Sequence, residues 1–308
     1  MGEEAKKEAH KCCANCGIAG IDDVKLRDCS ACHLVSYCGV KCQKEHRPKH
    51  KRDCKKRAAE LRDELLFKMP ENSFYGDCPI CCLPMPLDRD KIVMQVCCGQ
   101  QLCHGCNYAN NNGEKRSRCV FCRKPVPETE KEANEYLEKR AEGNDPAVLR
   151  EFGSNFFDEG DYETALIYTN KAAKLGDAMA HHNLSSAYQM GMAGLQRDEK
   201  KGRYHWEEAA ILGYPTARLG LGYHEYESKR FDRAAKHWII AAKHGEEEGL
   251  QLVKQCYKDG HISKEDFAGT LRAHQAAVDA TKSPMRKKAE MFKAATNSLD
   301  DYLMKALG

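Results

Sequence analysis

Of the 18 cysteines in this chain of 308 residues, 17 lie before residue 123, and they are the side chains with the most chemistry to offer. They fall in pairs: Cys13 and Cys16, Cys29 and Cys32, Cys38 and Cys42, then His50 with Cys54. Two ligands separated by two or three residues reach one tetrahedral ion from a tight turn or a helix start. These eight therefore read as the shells of two zinc ions. A second run follows: Cys78-Pro-Ile-Cys81, then Cys97-Cys98-Gly-Gln-Gln-Leu-Cys103-His-Gly-Cys106, then Cys119-Val-Phe-Cys122. A disulfide scaffold would need an oxidising compartment and an export signal. The opening Met-Gly-Glu-Glu-Ala-Lys-Lys offers none, so reduced, metal-bound thiolates are expected.

The elements that position these ligands follow from composition. With 31% charged residues and a mean hydropathy of -0.70, one large continuous core is not expected. Small metal-stapled modules joined to a helical array fit better. No apolar run approaches the ~20 residues of a membrane span, and the expectation is a soluble intracellular protein, cytoplasmic, nuclear or both. Residues 1–11 read as a frayed, charged end and 12–54 as the first metal module. Ala58, Leu61, Leu65 and Leu66 recur at helical spacing, so 55–77 reads as a linker helix closed near Pro70. The second module is expected over 78–127, a connecting helix over 128–145, and a cap over 263–308 whose last helix starts at Pro284.

Between them, 146–262 repeats itself. Ala172-Ala173-Lys-Leu-Gly176, Ala209-Ala210-Ile-Leu-Gly213 and Ala241-Ala242-Lys-His-Gly245 recur at a solenoid period, each preceded by an equivalent pair at Phe152-Gly153, Leu184-Ser185 and Leu221-Gly222. Each unit is thus two helices, with a small-residue stripe through Ala165, Gly202 and Ala234 and a terminating glycine at 176, 213 and 245. With Tyr188, Gly191, Gly194, Trp206 and Trp238, the pattern resembles Sel1-like repeats of the tetratricopeptide type. Ser185 and Glu225 depart from that pattern, and the first and third units lack the glycine-rich loop of 191–197.

The run from Tyr37 through Cys38, Cys42, His46 and His50 to Cys54 resembles the MYND zinc finger. That resemblance implies interleaved ligation: Cys13, Cys16, Cys38 and Cys42 on one ion, Cys29, Cys32, His50 and Cys54 on the other. Cys12 and His46 are then spare, with Cys12 the alternative to Cys13. It also implies affinity for proline-containing peptides. Between Lys41 and Arg57 stand nine Lys or Arg against two acids. With no interleaved aromatics for base stacking, this stretch reads as a solvated helix face, and nucleic acid is not an expected partner.

The second run resembles a RING domain. A RING cross-brace implies Cys78, Cys81, Cys103 and Cys106 on one ion and Cys97, Cys98, Cys119 and Cys122 on the other, four zinc ions in all with the first module. Gln100 occupies a place where a RING commonly has histidine, hence an all-cysteine variant, with His104 as the alternative eighth ligand. Val120 stands where proline is often seen. Cys12, Cys82 and Cys256 remain, and none has the surroundings of a nucleophile. The resemblance further implies docking of a ubiquitin-charged E2 enzyme through Ile80, Arg123 and Pro125, with ubiquitin, the E2 and a protein substrate as partners. The competing expectation is a non-catalytic zinc-binding scaffold. A metal hydrolase is excluded because every ligand set is closed, leaving no position for an activated water.

Overall fold

The computed structural model describes residues 11–20, 24–111, 118–192 and 194–307. Most of the expected frayed start, 1–10, lies outside them. The chain divides into two compact units, Met1–Lys68 and Met69–Gly308.

In the first unit, β1 (Arg27–Asp28) pairs antiparallel with β2 (Ser36–Tyr37), and α1 (Val40–Leu66) follows. The core is mostly ligand: Cys13, Cys29 and Cys32 are buried with Tyr37, and Leu26 and Val35 pack against them. α1 changes the expected division of the chain. One 27-residue helix carries the ligands Cys42, His50 and Cys54 and continues through the segment assigned to a linker. The reason is local: the run to Leu66 is rich in Lys, Arg, Glu, Ala and Leu, all strong helix formers, with no breaker after Cys54. Pro48 lies inside the helix and removes one backbone donor, but the ligand pairs on either side clamp that turn. The helix stops at Leu66, ahead of Pro70.

The second unit opens with a 3-10 turn at Arg89–Lys91, the hairpin of β3 (Ile92–Met94) and β4 (Gln101–Cys103), and the short helix α2 (His104–Asn111). α3 (Glu130–Glu142) leads into the array: α4 (Pro146–Asp158) with α5 (Tyr162–Lys174), α6 (Ala178–Met190) with α7 (Glu199–Ile211), α8 (Pro215–Glu227) with α9 (Phe231–Lys243), and α10 (Glu247–Lys258) with α11 (Lys264–Ala280). The last helix, α12, runs Pro284–Leu307. This is the expected order: zinc-stapled modules, then an all-α helical-repeat solenoid.

Asp145, Asp161, Asp177 and Asp198 cap their helices through side-chain oxygens that accept backbone N–H bonds. The glycines after α5, α7 and α9 adopt φ of 89°, 90° and 91°, a left-handed turn that frees the next helix to start two residues later. Alanines make the contacts between helices: Ala172, Ala180, Ala209, Ala210, Ala217, Ala234, Ala241 and Ala242 are all fully buried. The indoles of Trp206 and Trp238 lie on Gly220 and Gly222 of α8, two residues apart and hence on opposite sides of that helix. The departures have roles. Ser185 Oγ donates to the Gly202 carbonyl at 2.7 Å, and buried Glu225 pairs with Arg230 and with Arg233.

The second metal module is part of the array rather than a bead beside it. The rings of Phe74 and Tyr214 stand 4.9 Å apart, Tyr75 Oη is 3.7 Å from Met179 Sδ, and α12 packs along α2. Arg140 of α3 donates to the Val96 carbonyl at 3.1 Å. The boundary expected near 127 is therefore a change in composition without a break in packing.

Candidate metal centres

Each centre begins as a turn. In Cys13–Gly17, Cys29–His33, Cys78–Cys82 and Cys119–Arg123 the N–H of the last residue donates to the carbonyl of the first, at 2.8 to 3.1 Å. That last residue takes a left-handed φ: 76° at Gly17, 54° at His33, 53° at Cys82 and 62° at Arg123. Such a conformation costs a non-glycine residue free energy, and what it gains is two sulfurs aimed at one point. The N–H of the first cysteine is satisfied by a carbonyl across the turn: Ile18, Val35, Leu83 and Lys124 respectively.

These turns meet in four sets whose ligand atoms all lie within 4.8 Å of one another. They are Cys13, Cys16, Cys38 and Cys42; Cys29, Cys32, His50 and Cys54; Cys78, Cys81, Cys103 and Cys106; and Cys97, Cys98, Cys119 and Cys122. In each module one site takes the first and third pairs and the other the second and fourth. A zinc ion with ~2.3 Å bonds to sulfur needs tetrahedron edges of about 3.8 Å. Five sulfur separations fit, 3.7 Å for Cys16–Cys38, 3.6 Å for Cys38–Cys42, 3.8 Å for Cys29–Cys54, 3.9 Å for Cys81–Cys103 and 3.8 Å for Cys98–Cys119, while Cys97–Cys122 is closer at 3.3 Å.

The acidities of the thiols also call for a cation. The N–H groups of Cys16 and Cys38 draw Cys13 down to about 6. Burial pushes Cys29, Cys78 and Cys119 up, but backbone N–H donors outweigh it and bring them to about 6, 7 and 7. Their neighbours go the other way. Sharing a proton with Cys42 pushes Cys38 up to about 12, and burial with nearby thiolates raises Cys54 to about 11 and also raises Cys97 and Cys106. Four sulfurs this close cannot all ionise alone; a divalent ion removes the obstacle. The donor sets fit zinc, and the described residues hold four zinc sites.

Cys12 is exposed and outside the sets, and His46 Nδ1 meets Tyr37 Oη at 3.0 Å. His104 begins α2 and is likewise outside them. Cys82 is exposed, while Cys256 is buried and pushed up to about 11 by that burial, so its thiol is inert at neutral pH. Ile80 lies at the tip of the first turn of the second module, 44% exposed, and Arg123 and Pro125 are exposed beside the last turn. The Arg123 carbonyl accepts from Arg118, and the Pro125 carbonyl accepts from Tyr136 Oη of α3. Sequence reading missed Arg140 and Arg286, whose guanidiniums reach the second module from α3 and α12. The one signal was Gly105 between two ligands, a residue that permits close backbone approach.

The family model of the MYND finger matches residues 13–54. No curated protein matches the chain. Among solved structures it is similar to a Sel1 repeat protein from Oxalobacter formigenes, with 20% identity and a TM-score of 0.41 over 50% of this chain and 66% of that one. It is also similar to c5321, a protective antigen of uropathogenic Escherichia coli strains displaying an SLR fold, with 20% identity and a TM-score of 0.39 over 54% of this chain and 37% of that one. The chain thus spans less than two thirds of either. What the sequence and geometry establish together is a MYND zinc finger at 13–54, a second two-zinc module, and a helical-repeat array.

Proposed function

We propose that the protein is a RING-type E3 ubiquitin ligase: the second zinc module docks a ubiquitin-charged E2, and the MYND finger and repeats select the protein to be modified. The observation that carries this reading is an apolar side chain, Ile80, held 44% exposed between two zinc ligands. The cation Arg123 follows the last ligand and exposed Pro125 lies two residues on. An exposed isoleucine fixed by a metal-locked turn is a rigid anchor for a partner, and Arg123 is free to donate across such an interface. The module supplies no nucleophile. The E2 thioester is broken by the neutral amine of the substrate lysine: its nitrogen bonds to the ubiquitin carbonyl carbon and gives up a proton as the C–S bond breaks, and the departing E2 thiolate ends as the thiol. The ligase contributes orientation and hydrogen bonding.

The test is reconstituted ubiquitination with E1, a panel of E2 enzymes and the full chain, comparing wild type with Ile80→Ala and Arg123→Ala at verified zinc content. Ubiquitin chains that depend on both residues support the reading. Inactivity with every E2 at full zinc occupancy overturns it in favour of a second reading, a non-catalytic adaptor. One observation favours that alternative: a groove of about 280 Å³ in the array, lined by Gly153, Phe157, Leu166, Asn183, Ala187 and Met192, offers an extended partner apolar walls with polar edges.

A further inference from the structure

The site formed by Cys78, Cys81, Cys103 and Cys106 has a charge to balance. Four thiolates around a divalent ion leave a net charge of -2, and three of these four cysteines are buried. Charge in such surroundings is costly without a partner. The cation that faces it comes from 200 residues away in sequence. Arg286, in the first turn of α12, is only 7% exposed. Its Nη1 donates to the carbonyls of Pro84 and Thr281, each at 2.7 Å. Its Nη2 donates to the Leu83 carbonyl at 3.2 Å and to Cys81 Sγ at 3.6 Å. Among the described residues no carboxylate pairs with this guanidinium. Arg140, which grips the neighbouring turn, differs: Asp145 neutralises it at 2.8 Å.

A second feature of the backbone points the same way. Gly105 lies between the ligands Cys103 and Cys106, and a Cβ there would stand 2.7 Å from the Arg286 nitrogen and 2.9 Å from its Cα. The glycine allows α12 to approach the ligand loop closely. Two further contacts fix the helix, Lys91 Nζ to Glu290 at 2.9 Å and the rings of Tyr108 and Phe292 at 5.3 Å.

We propose that Arg286 is the positioning counter-cation of the Cys78, Cys81, Cys103 and Cys106 zinc centre, and that through it the docking of α12 depends on metal. With zinc bound, the negative sulfurs hold the guanidinium. With zinc lost, the four sulfurs are no longer gathered into one anionic centre, the fork keeps only its carbonyl acceptors, and the docking of α12 is weakened. The inference rests on the zinc centre and stands whether or not the module recruits an E2.

The experiment uses the full chain, with zinc release to a chromophoric chelator followed against time. In Arg286→Gln, one of four zinc equivalents leaves about 10 to 100 times faster, the size usual for a lost outer-sphere partner, while the others keep their wild-type rates. Arg286→Lys, which keeps the charge, restores most of the difference. Phe292→Ala, which loosens the helix without altering charge, changes the release rate less than Arg286→Gln. Hydrogen exchange on the wild-type chain needs no variant: amides of 286–292 lose protection as that zinc is removed. Four wild-type rates in Arg286→Gln, equal effects of Arg286→Gln and Phe292→Ala, or protection of 286–292 that survives zinc removal would each overturn the proposal.

Discussion

Gly222→Ala is a substitution for which helix propensity and packing disagree in sign. Alanine in place of glycine favours a helix interior by about 1 kcal/mol. At Gly222, however, an added Cβ would stand 2.6 Å from Trp238 Cδ1 and Cε2, where carbon contacts need roughly 3.5 to 4.0 Å. The indole must retreat by about 1 Å, and it has little room. Trp238 is 3% exposed, its Nε1 donates to the Leu219 carbonyl at 3.4 Å, and the rings of Tyr223 and Tyr226 stand 5.6 and 5.7 Å away. Overpacking of such a site costs about 1 to 3 kcal/mol, and the rigidity here places it near the top of that range. Net destabilisation of about 1 to 2 kcal/mol follows, which for a unit of this size lowers the melting temperature by roughly 3 to 6 °C. Gly269→Ala in α11 is the control, because no atom lies within 4 Å of its added Cβ. It should raise the melting temperature by up to about 2 to 4 °C. Urea and thermal melts followed by circular dichroism read both. If Gly222→Ala melts at or above wild type, the packing of Trp238 on α8 described above is wrong.

Native mass spectrometry should find four zinc ions, and two would remove one of the modules. Chelation should lower the melting temperature of the array as well as of the zinc modules, read by Trp206 and Trp238 fluorescence, since Phe74, Tyr75 and Arg140 tie the second module to it; an unchanged array melt would refute that coupling. His205 stacks on Tyr188, has Nδ1 3.0 Å from His181 Nδ1, and is held down to about 4, chiefly by burial. Unfolded histidine takes up its proton near 6.5, so this stability is complete above about 6.5 and is lost as pH falls toward 4, by about 1 to 2 kcal/mol after allowing for partial solvent screening. A stability profile over pH 7 to 5.5 that His205→Gln does not flatten would refute it. Glu225→Gln should cost about 1 to 2 kcal/mol by urea melt, below the full price of an orphaned buried ion, because Arg230 and Arg233 can turn to water. No change would mean that the pairs contribute nothing.

What was legible in the sequence was whatever is encoded within a few residues. CxxC spacing fixes a turn, so the ligand pairs could be read directly, and the Ala-Ala-x-x-Gly recurrence encodes a buried stripe and a left-handed stop, so the helix pairs and their ends could too. The basic stretch 41–57 read as a helix face and 55–77 as a linker helix, but that they are one helix was obscured because the first turns of α1 are metal ligands and basic residues with no apolar period to join to Ala58, Leu61, Leu65 and Leu66. The contacts that merge the second module with the array were invisible for a different reason. They join Phe74 to Tyr214, Tyr75 to Met179, Val96 to Arg140 and Cys81 to Arg286, pairs far apart in the chain and single in kind. A lone arginine in a lysine-rich helix carries no local mark of its partner.

That merging follows from what small zinc modules lack. The core of the second module holds three cysteines, Met85 and Leu102, with Tyr75, Ile92, Val93 and Phe121 packed around it. So little apolar area cannot by itself offset the ordering of some fifty residues, and the metal supplies most of the difference. Helices α3 and α12 add the rest by bringing guanidiniums to the carbonyls of Val96, Leu83 and Pro84. The arrangement has a consequence for any partner of Ile80. The loop that carries Ile80 is held from below by zinc and, through Leu83, Pro84 and Cys81, by Arg286. Its shape is therefore set before a partner arrives, which reduces the entropy lost on docking. The same rigidity makes the surface sensitive to zinc. Loss of one ion would free the anchor and the C-terminal helix together, so partner binding at Ile80 and protection of α12 should decline in parallel as zinc is withdrawn.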